Sequence, residues 1–189
     1  VSTGALMAHG LVEATGRSHF RHDPRMDDVE LYNAGYNRVY DTLEPERNLD
    51  DVEEVIFDVL KEWNPKEILC SWKLNRAIGE YLHKRVKGRG ILKSAYQKGV
   101  PVFVPAFTDS ELGLDVALAN RIRMRDGQPK FRFDPFEDLE HFADTLLRRR
   151  SSGSSPSAAA CRATGRSRSA PTSTSCASVP APTSRFAAS

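Results

Sequence analysis

Apolar residues recur at helical spacing through most of the first 150 residues, in segments divided by polar and glycine-containing breaks. This periodicity predicts helices over residues 48–63, 66–85 and 91–98, the last followed by Gly99 as a C-terminal cap. Asn48 is the predicted N-cap of the first of these helices. The predicted buried face of that helix is apolar at every position and consists of Val52, Val55, Ile56, Val59 and Leu60.

Two small-residue turns are predicted to follow strands and to open helices. Residues 100–105 read as a buried strand, and the loop at 106–113 opens a helix that runs to about Asn120. Residues 3–5 form a similar turn near the start of the chain. Because helices alternate with buried strands, we expect an α/β fold with a mainly parallel sheet flanked by helices. Ligands of such sheets bind at the carboxyl ends of strands, so both turns are expected to line one cleft.

The remaining segments predict a hairpin and a last helix. Residues 121–125 and 130–133 flank Asp126 and Gly127, a pair typical of hairpin turns. The last helix follows, and its predicted inward side consists of Phe136, Leu139, Phe142, Leu146 and Leu147. Residues 18–45, by contrast, are polar and rich in turn-forming residues.

Charge is distributed unevenly along the chain, whose net charge is +2. Four of the 27 lysine and arginine residues lie in residues 151–189, which contain no acidic residue. Residues 1–150 therefore carry 23 basic and 25 acidic side chains. A slightly acidic body without a basic, aromatic face argues against nucleic acid as a partner.

Cysteine usage and hydropathy exclude several other classes. Cys70, Cys161 and Cys176 are scattered and form no paired motif, so they predict neither a disulfide framework nor a zinc site. No apolar run approaches the roughly 20 residues that a membrane-spanning helix needs. The start of the chain lacks the basic region of a secretory signal. We therefore expect a cytoplasmic protein without a membrane partner.

Residues 151–189 are rich in serine and alanine and lack leucine, isoleucine and lysine. One interpretation is a disordered tail, since such a composition buries too little apolar surface to offset the entropy of ordering. The other is out-of-frame translation. With GC-rich codons and a one-base shift, the codons of residues 152–176 can encode a buried strand, a triple-glycine turn and a helix. We hypothesise the shifted frame, which the nucleotide sequence would test.

Three stretches together resemble the deoxyhypusine synthase family: residues 1–5, 35–39 and 99–113. The third, which reads GVPVFVPAFTDSELG, is the most specific. The resemblance covers most of residues 1–150 and is strongest with the bacterial deoxyhypusine synthase-like branch. It implies that residues 1–150 are part of a Rossmann-like NAD-binding domain, incomplete at both ends.

The resemblance also implies a reaction and its partners. In the family, NAD oxidises spermidine, and the aminobutyl group passes through an enzyme lysine to a lysine of the translation factor 5A precursor. Family members are homotetramers. A lysine amine is a good nucleophile for such a transfer when its environment lowers its pKa.

Site residues follow from the resemblance position by position. Thr3, Gly4 and Ala5 match the family's NAD-contacting turn. Asp109 matches the aspartate that binds the hydroxyl-rich part of the cofactor, and its alternative role is a helix N-cap. Asp115 lies one position from where a polyamine-binding aspartate would fall.

Two departures from the family pattern bear on activity. His9 and Ala8 stand where the family has a glutamate pair that helps to bind NAD and spermidine, so His9 is the remaining candidate cofactor contact. The family's Trp-Gly-Lys motif, which carries the catalytic lysine, is absent from the 189 residues. No catalytic residue is therefore predicted, no metal ligand is predicted, and the chain is expected to be inactive as written.

The sequence leaves other interpretations open. Asn37 and Arg38 occupy the family's Asn-Arg pair, where a structural hydrogen bond and a ligand contact are equally compatible. His19 has no motif support and is expected to be a surface or structural residue, as are His22 and His83. Rival functions are transfer to a small diamine, as in homospermidine formation, and a non-catalytic NAD- or polyamine-binding remnant. A generic dehydrogenase is disfavoured because no GxGxxG motif follows a strand.

Overall fold

Seven helices and three short strands make up the regular structure of residues 1–148, which are the residues described by the computed structural model. The elements in chain order are α1 (Gly4–Ala14), β1 (Phe20–Arg21), α2 (Asp28–Asn33), β2 (Tyr36–Val39), β3 (Thr42–Pro45), α3 (Arg47–Lys61), α4 (Ser71–Arg85), α5 (Ile91–Gln97), α6 (Glu111–Arg125) and α7 (Phe136–Leu147). The predictions for residues 151–189 lie outside the described residues. No helix among residues 1–148 combines the length and the apolar character needed to cross a membrane.

Helices α1, α3, α4 and α6 enclose the core. The predicted apolar face of α3 is buried at all five positions, which confirms that prediction. The predicted Asn48 cap is wrong, because α3 begins at Arg47 and its N-cap, Glu46, makes no side-chain capping bond. Asn48 is instead buried within the first turn, where its amide donates to the Ser18 carbonyl at 3.3 Å. The residue thus fixes the preceding loop to α3.

Residues 18–45 form a small antiparallel sheet with the strand order β1-β3-β2. Its central strand, β3, pairs Leu43 with Phe20 on one side and with Arg38 on the other. The outer strands are short and mostly exposed, so they carry no apolar run or alternation in the sequence. Because β3 lies in the centre, it buries Leu43 and Glu44 against the body of the protein.

The predicted mainly parallel sheet is not found among residues 1–148. Within the described part of the chain, the only parallel pairing is an isolated bridge between Leu69 and Phe133. Residues 100–105 form no strand, although Phe103 and Val104 are buried as expected. The physical reason lies in α4, whose side chains bind the backbone groups that a neighbouring strand would use.

Two residues of α4 make these bonds. Ser71 Oγ accepts from the Val104 N–H at 2.8 Å, and the Asn75 amide donates to the Val102 carbonyl at 3.0 Å. On the other side, the Ser2 N–H donates to the Phe103 carbonyl at 2.8 Å. The segment is therefore held by single bonds and not by a ladder.

The C-terminal half corrects two further predictions. Residues 121–125 are helical, not a hairpin strand, because Asp126 caps α6 and Gly127 (φ 70°) ends it in the left-handed conformation. Asp-Gly pairs suit both a hairpin turn and a helix C-terminus, so the pair alone could not distinguish them. Helix α4 begins at Ser71 and not at residue 66.

Helix α7 is present, but its predicted inward side is wrong at four of five positions. Phe136, Leu139, Leu146 and Leu147 are exposed. The inner side carries Phe142, as predicted, together with Asp138 and His141, which lie at helical spacing from it. Asp138 accepts from the Ser71 and Trp72 N–H groups at 3.0 and 2.9 Å. His141 stacks on Trp72, and Phe142 packs edge-on against Phe103.

Helices α4 and α5 pack so closely at Gly79 that a methyl group there has no space. A Cβ on Gly79 would lie 2.4 Å from the Leu92 carbonyl oxygen and 2.8 Å from Tyr96 Cβ. A Cβ on Gly10 in α1 would meet nothing nearer than Ile91 Cδ1 at 3.4 Å. The two glycines therefore form a matched pair of sites in helix interiors.

We predict opposite effects for alanine at these two positions. Gly79→Ala should lower the free energy of unfolding by about 1–3 kcal/mol, because overpacking outweighs the better helix propensity. Gly10→Ala should raise it by about 0.5–1 kcal/mol. Urea denaturation followed by circular dichroism measures both, and equal effects of the two substitutions would contradict the packing described.

Candidate functional site

The two turns predicted to converge lie against each other. Thr3 caps α1, its Oγ1 accepting from the Leu6 N–H at 3.3 Å, and Ser110 caps α6, its Oγ accepting from the Gly113 N–H at 3.3 Å. Gly4 approaches Ser110 so closely that a Cβ on Gly4 would lie 2.1 Å from Ser110 Cβ. The N-termini of α1 and α6 therefore open side by side, and we call this surface the turn pair (residues 3–5 and 108–110).

The turn pair presents hydrogen-bonding groups to solvent. Thr3, Ala5 and Asp109 are exposed, whereas Gly4 is buried at the contact. The N–H groups of Gly4 and Ala5 have no acceptor among the described residues, as expected for the first turn of a helix. Such free N–H groups favour a phosphate, and an exposed carboxylate such as Asp109 can accept from hydroxyl groups. The alternative role of Asp109 as N-cap is corrected, since Ser110 performs it.

His9 lies further along α1 and belongs to a different cluster. Its Nδ1 is 3.3 Å from Glu44 Oε2 and 3.3 Å from His19 Nε2. His19 Nε2 is in turn 3.2 Å from Glu44 Oε1. We call these three residues the His-His-Glu cluster. Sequence reasoning missed His19 and Glu44, because both lie in or next to short strands that left no periodic signal.

Asp115 lies on the buried face of α6, with 6% of its surface exposed. Its Oδ2 has no hydrogen-bond partner among the described residues. Burial, reinforced by the nearby carboxylates of Glu111 and Glu53, raises the pKa of Asp115 to about 7. Three carboxyl groups thus converge between α3 and α6, and an ammonium group is the kind of ligand that would offset their repulsion.

Arg38, the second residue of the Asn37-Arg38 pair, has a structural role. The Arg38 guanidinium binds both carboxylate oxygens of Asp28 and donates to the Tyr40 carbonyl at 3.1 Å. Hydrogen bonding between Arg38 and Asp28 lowers the pKa of the Asp28 carboxyl group and raises the pKa of the Arg38 guanidinium. Arg38 therefore joins α2 to the β2–β3 turn.

A cavity whose walls include none of the predicted site residues is also present. It has a volume of about 380 Å³ and lies between α4, α5 and residues 99–102. Trp72, Asn75, Arg76 and His141 contribute polar groups to its walls.

The contact between Gly4 and Ser110 yields a prediction with an internal rescue. Gly4→Ala should lower the free energy of unfolding by about 1–3 kcal/mol, because the new Cβ overlaps Ser110. In a Ser110→Gly background the nearest remaining atom is Ser110 Cα at 3.5 Å, an ordinary contact, so the same substitution should have little effect. A double-mutant cycle by urea denaturation should give a coupling of at least about 1 kcal/mol. Additive effects would show that the two turns do not touch.

The raised pKa of Asp115 predicts the sign of a pH effect. The folded carboxyl holds its proton up to about pH 7, whereas the unfolded one loses it near its ordinary pKa of 3.8. Deprotonation therefore favours unfolding, so the contribution of Asp115 to stability is fully present below pH 3.8, falls as the pH rises above that value and is lost above about 7. Asp115→Asn should flatten this dependence and raise the free energy of unfolding by about 1–3 kcal/mol above that pH.

Urea denaturation on both sides of pH 7 measures the difference between Asp115→Asn and wild type. Asp126→Asn, which changes an exposed carboxylate at the end of α6, is the matched control. A pH dependence shared by all three proteins would contradict the assignment to Asp115.

Comparison of the sequence with known proteins identifies a family. The deoxyhypusine synthase family model matches residues 1–155. The chain is 33% identical over 153 residues to "Probable deoxyhypusine synthase 1" of Methanosarcina mazei, which covers 81% of this chain and 45% of that protein. It is 27% identical over 156 residues to a "Deoxyhypusine synthase-like protein" of Coxiella burnetii, covering 81% of this chain and 43% of that protein.

These matches confirm the resemblance derived from the three sequence stretches. The chain spans less than half of the length of either relative. The family match nevertheless extends over all of the residues that form the turn pair, the His-His-Glu cluster and the Asp115 site. The chain therefore belongs to the deoxyhypusine synthase family.

Proposed function

We propose that the turn pair is part of an NAD site in an enzyme that transfers the aminobutyl group of spermidine. The observation that supports this proposal most is the contact of Gly4 with Ser110, which joins two helix N-termini on one surface. The free N–H groups of Gly4 and Ala5 fit a pyrophosphate, since a helix N-terminus favours anions. Asp109 fits the ribose, whose two hydroxyl groups can both donate to one carboxylate.

When bound, NAD would supply the hydride acceptor for oxidation of spermidine. The residues of this chain would bind and orient it: Thr3 holds the start of α1, Gly4 permits the approach of α6, and Asp109 remains free to accept from the ribose. The role of His9 as a cofactor contact stays a prediction, because His9 lies in the separate His-His-Glu cluster.

Asp115 is the proposed polyamine-binding residue. Its Oδ2 lacks a partner, and Glu53 and Glu111 add negative charge on the neighbouring turns of α3 and α6. An ammonium group of spermidine would offset this charge and would return the carboxyl group to its ionised form. Such charge-assisted bonds are among the stronger contacts that a cationic substrate can make.

The acceptor and the assembly are proposed on the family alone. The acceptor would be a lysine of the translation factor 5A precursor or a small diamine, and the assembly a homotetramer. Because the Trp-Gly-Lys motif is absent from the 189 residues, we propose that this chain alone binds NAD without turning over spermidine. A purely binding remnant is the alternative that this absence favours.

Calorimetric titration of the full chain with NAD tests the cofactor site. Asp109→Asn should weaken binding about 10-fold or more, because a charged acceptor for the ribose hydroxyls is lost. Asp126→Asn, an exposed aspartate at the other end of α6, should leave the affinity unchanged. Equal affinities for both variants and wild type would contradict the proposed role of Asp109.

An assay of spermidine-dependent NADH formation tests the missing lysine. The purified chain should show no turnover, because it lacks the motif that carries the nucleophile. Sustained turnover would show that another lysine performs this step and would refute the proposal for this chain.

A further inference from the structure

The geometry points to a divalent transition-metal site formed by His9, His19 and Glu44. This site goes beyond the proposed NAD and polyamine functions and does not depend on them. Each residue comes from a different part of the fold: α1 for His9, the loop before β1 for His19, and the central strand β3 for Glu44. Their ligand atoms all lie within 4.8 Å of one another.

Neighbouring pairs of nitrogen and oxygen atoms in this cluster lie about as far apart as two ligands of a tetrahedral zinc ion. Zinc binds histidine nitrogen and carboxylate oxygen at about 2.0–2.2 Å, so two ligands at tetrahedral angles lie about 3.3–3.5 Å apart. Here His9 Nδ1 and His19 Nε2 lie 3.3 Å apart, and each lies at a similar distance from a different oxygen of the Glu44 carboxylate: His9 Nδ1 is 3.3 Å from Oε2, and His19 Nε2 is 3.2 Å from Oε1. Two histidines and one carboxylate are a donor set of zinc sites that keep a position open for another ligand. Little rearrangement would therefore be needed for a metal to enter.

Hydrogen bonding alone does not satisfy the cluster. If the neutral His19 ring donates from Nε2 to His9 Nδ1, then His9 Nδ1 is an acceptor, and it lies 3.3 Å from Glu44 Oε2, which is also an acceptor. If His9 Nδ1 carries the proton instead, it cannot accept from His19. One contact between acceptors, or between donors, remains in either arrangement of neutral rings. A metal ion removes the conflict because all three groups then act as electron-pair donors to it.

Glu44 gives the second, independent indication. Its side chain is 4% exposed, and Oε1 has no hydrogen-bond partner among the described residues, although His19 Nε2 lies 3.2 Å away. No lysine or arginine of residues 1–148 forms an ion pair with it. A buried carboxylate without a fixed cation is costly, and a dication supplies the missing charge.

A further carboxylate lies next to the other ring nitrogen of His19, where metal sites commonly have one. Glu13 Oε1 lies 3.7 Å from His19 Nδ1, on the ring nitrogen that faces away from the cluster. Metal-binding histidines usually donate this second N–H to a carboxylate, which fixes the ring and its tautomer. Glu13 lies on α1, one helical turn after His9, so the same helix would provide a ligand and an outer contact. The side chain of His9 is 40% exposed, which leaves a route for the ion.

Titration of the full, tag-free chain with Co²⁺, followed by Zn²⁺ competition, tests the site. We expect one Co²⁺ per chain, with visible bands of low coordination number and no thiolate charge-transfer band. The last criterion separates this site from Cys70, Cys161 and Cys176. Absence of saturable one-to-one binding, or a thiolate band, would refute the proposal.

Variants locate the ion. His19→Gln should weaken Co²⁺ and Zn²⁺ binding more than about 10-fold, and Glu13→Gln, which alters only an outer contact, about 10-fold. His83→Gln changes an exposed histidine on α4 and should have no effect. If His19→Gln fails to fold by circular dichroism, Glu13→Gln decides, because Glu13 is on the surface. Unchanged affinity in a folded cluster variant would overturn the assignment.

The same series separates this inference from the cofactor proposal. Asp109→Asn should leave metal affinity unchanged while it weakens NAD binding, and Glu13→Gln should do the reverse. Loss of NAD binding but not of metal binding in His9→Gln would assign His9 to the cofactor and would overturn the metal site.

Discussion

The close approach of Gly4 to Ser110 is the constraint on which both the fold and the proposed site depend. A residue without a side chain at position 4 lets the first turn of α1 touch the first turn of α6. Helix α1 also packs against α3 and α5, so its position determines that of most of the core. The Ser2–Phe103 bond reinforces the same contact from the segment before α1. A single steric requirement thus joins the packing of the body to the surface formed by Thr3 and Asp109.

Features that depend on hydrophobic periodicity or on turn-forming residues could be predicted from the sequence. The buried face of α3 follows from apolar residues at helical spacing, and the start of α1 from the small residues after Thr3. We predicted the convergence of the two turns from the rule that ligands bind at the carboxyl ends of parallel strands. The parallel strands that were expected to precede these turns are nevertheless absent from residues 1–148. Where the reasoning failed, the local signal was either too short or shared by two structures, as for the strands of residues 18–45 and for Asp126 with Gly127.

Tertiary hydrogen bonds explain the remaining differences. Ser71 and Asn75 bind the backbone of residues 102–104, and no pattern in the sequence reveals that side chains of a helix will replace a neighbouring strand. Glu44 and His19 could not be singled out either, since the burial of Glu44 comes from the central place of β3 and not from its neighbours in the chain. Helix α7 shows the same effect, because the bonds of Asp138 to α4 determine which side faces inward.

The bonds of Asp138 also constrain how the chain reaches its final state. The N-terminus of α4 has no capping side chain of its own, and its two amide donors are satisfied by a carboxylate that lies 67 and 66 residues further along. During synthesis, α4 leaves the ribosome long before Asp138 does, so its first turn must fray or bind water in the meantime. Completion of this turn is therefore a late event in folding, and it links the order of synthesis to the order in which the structure becomes fixed.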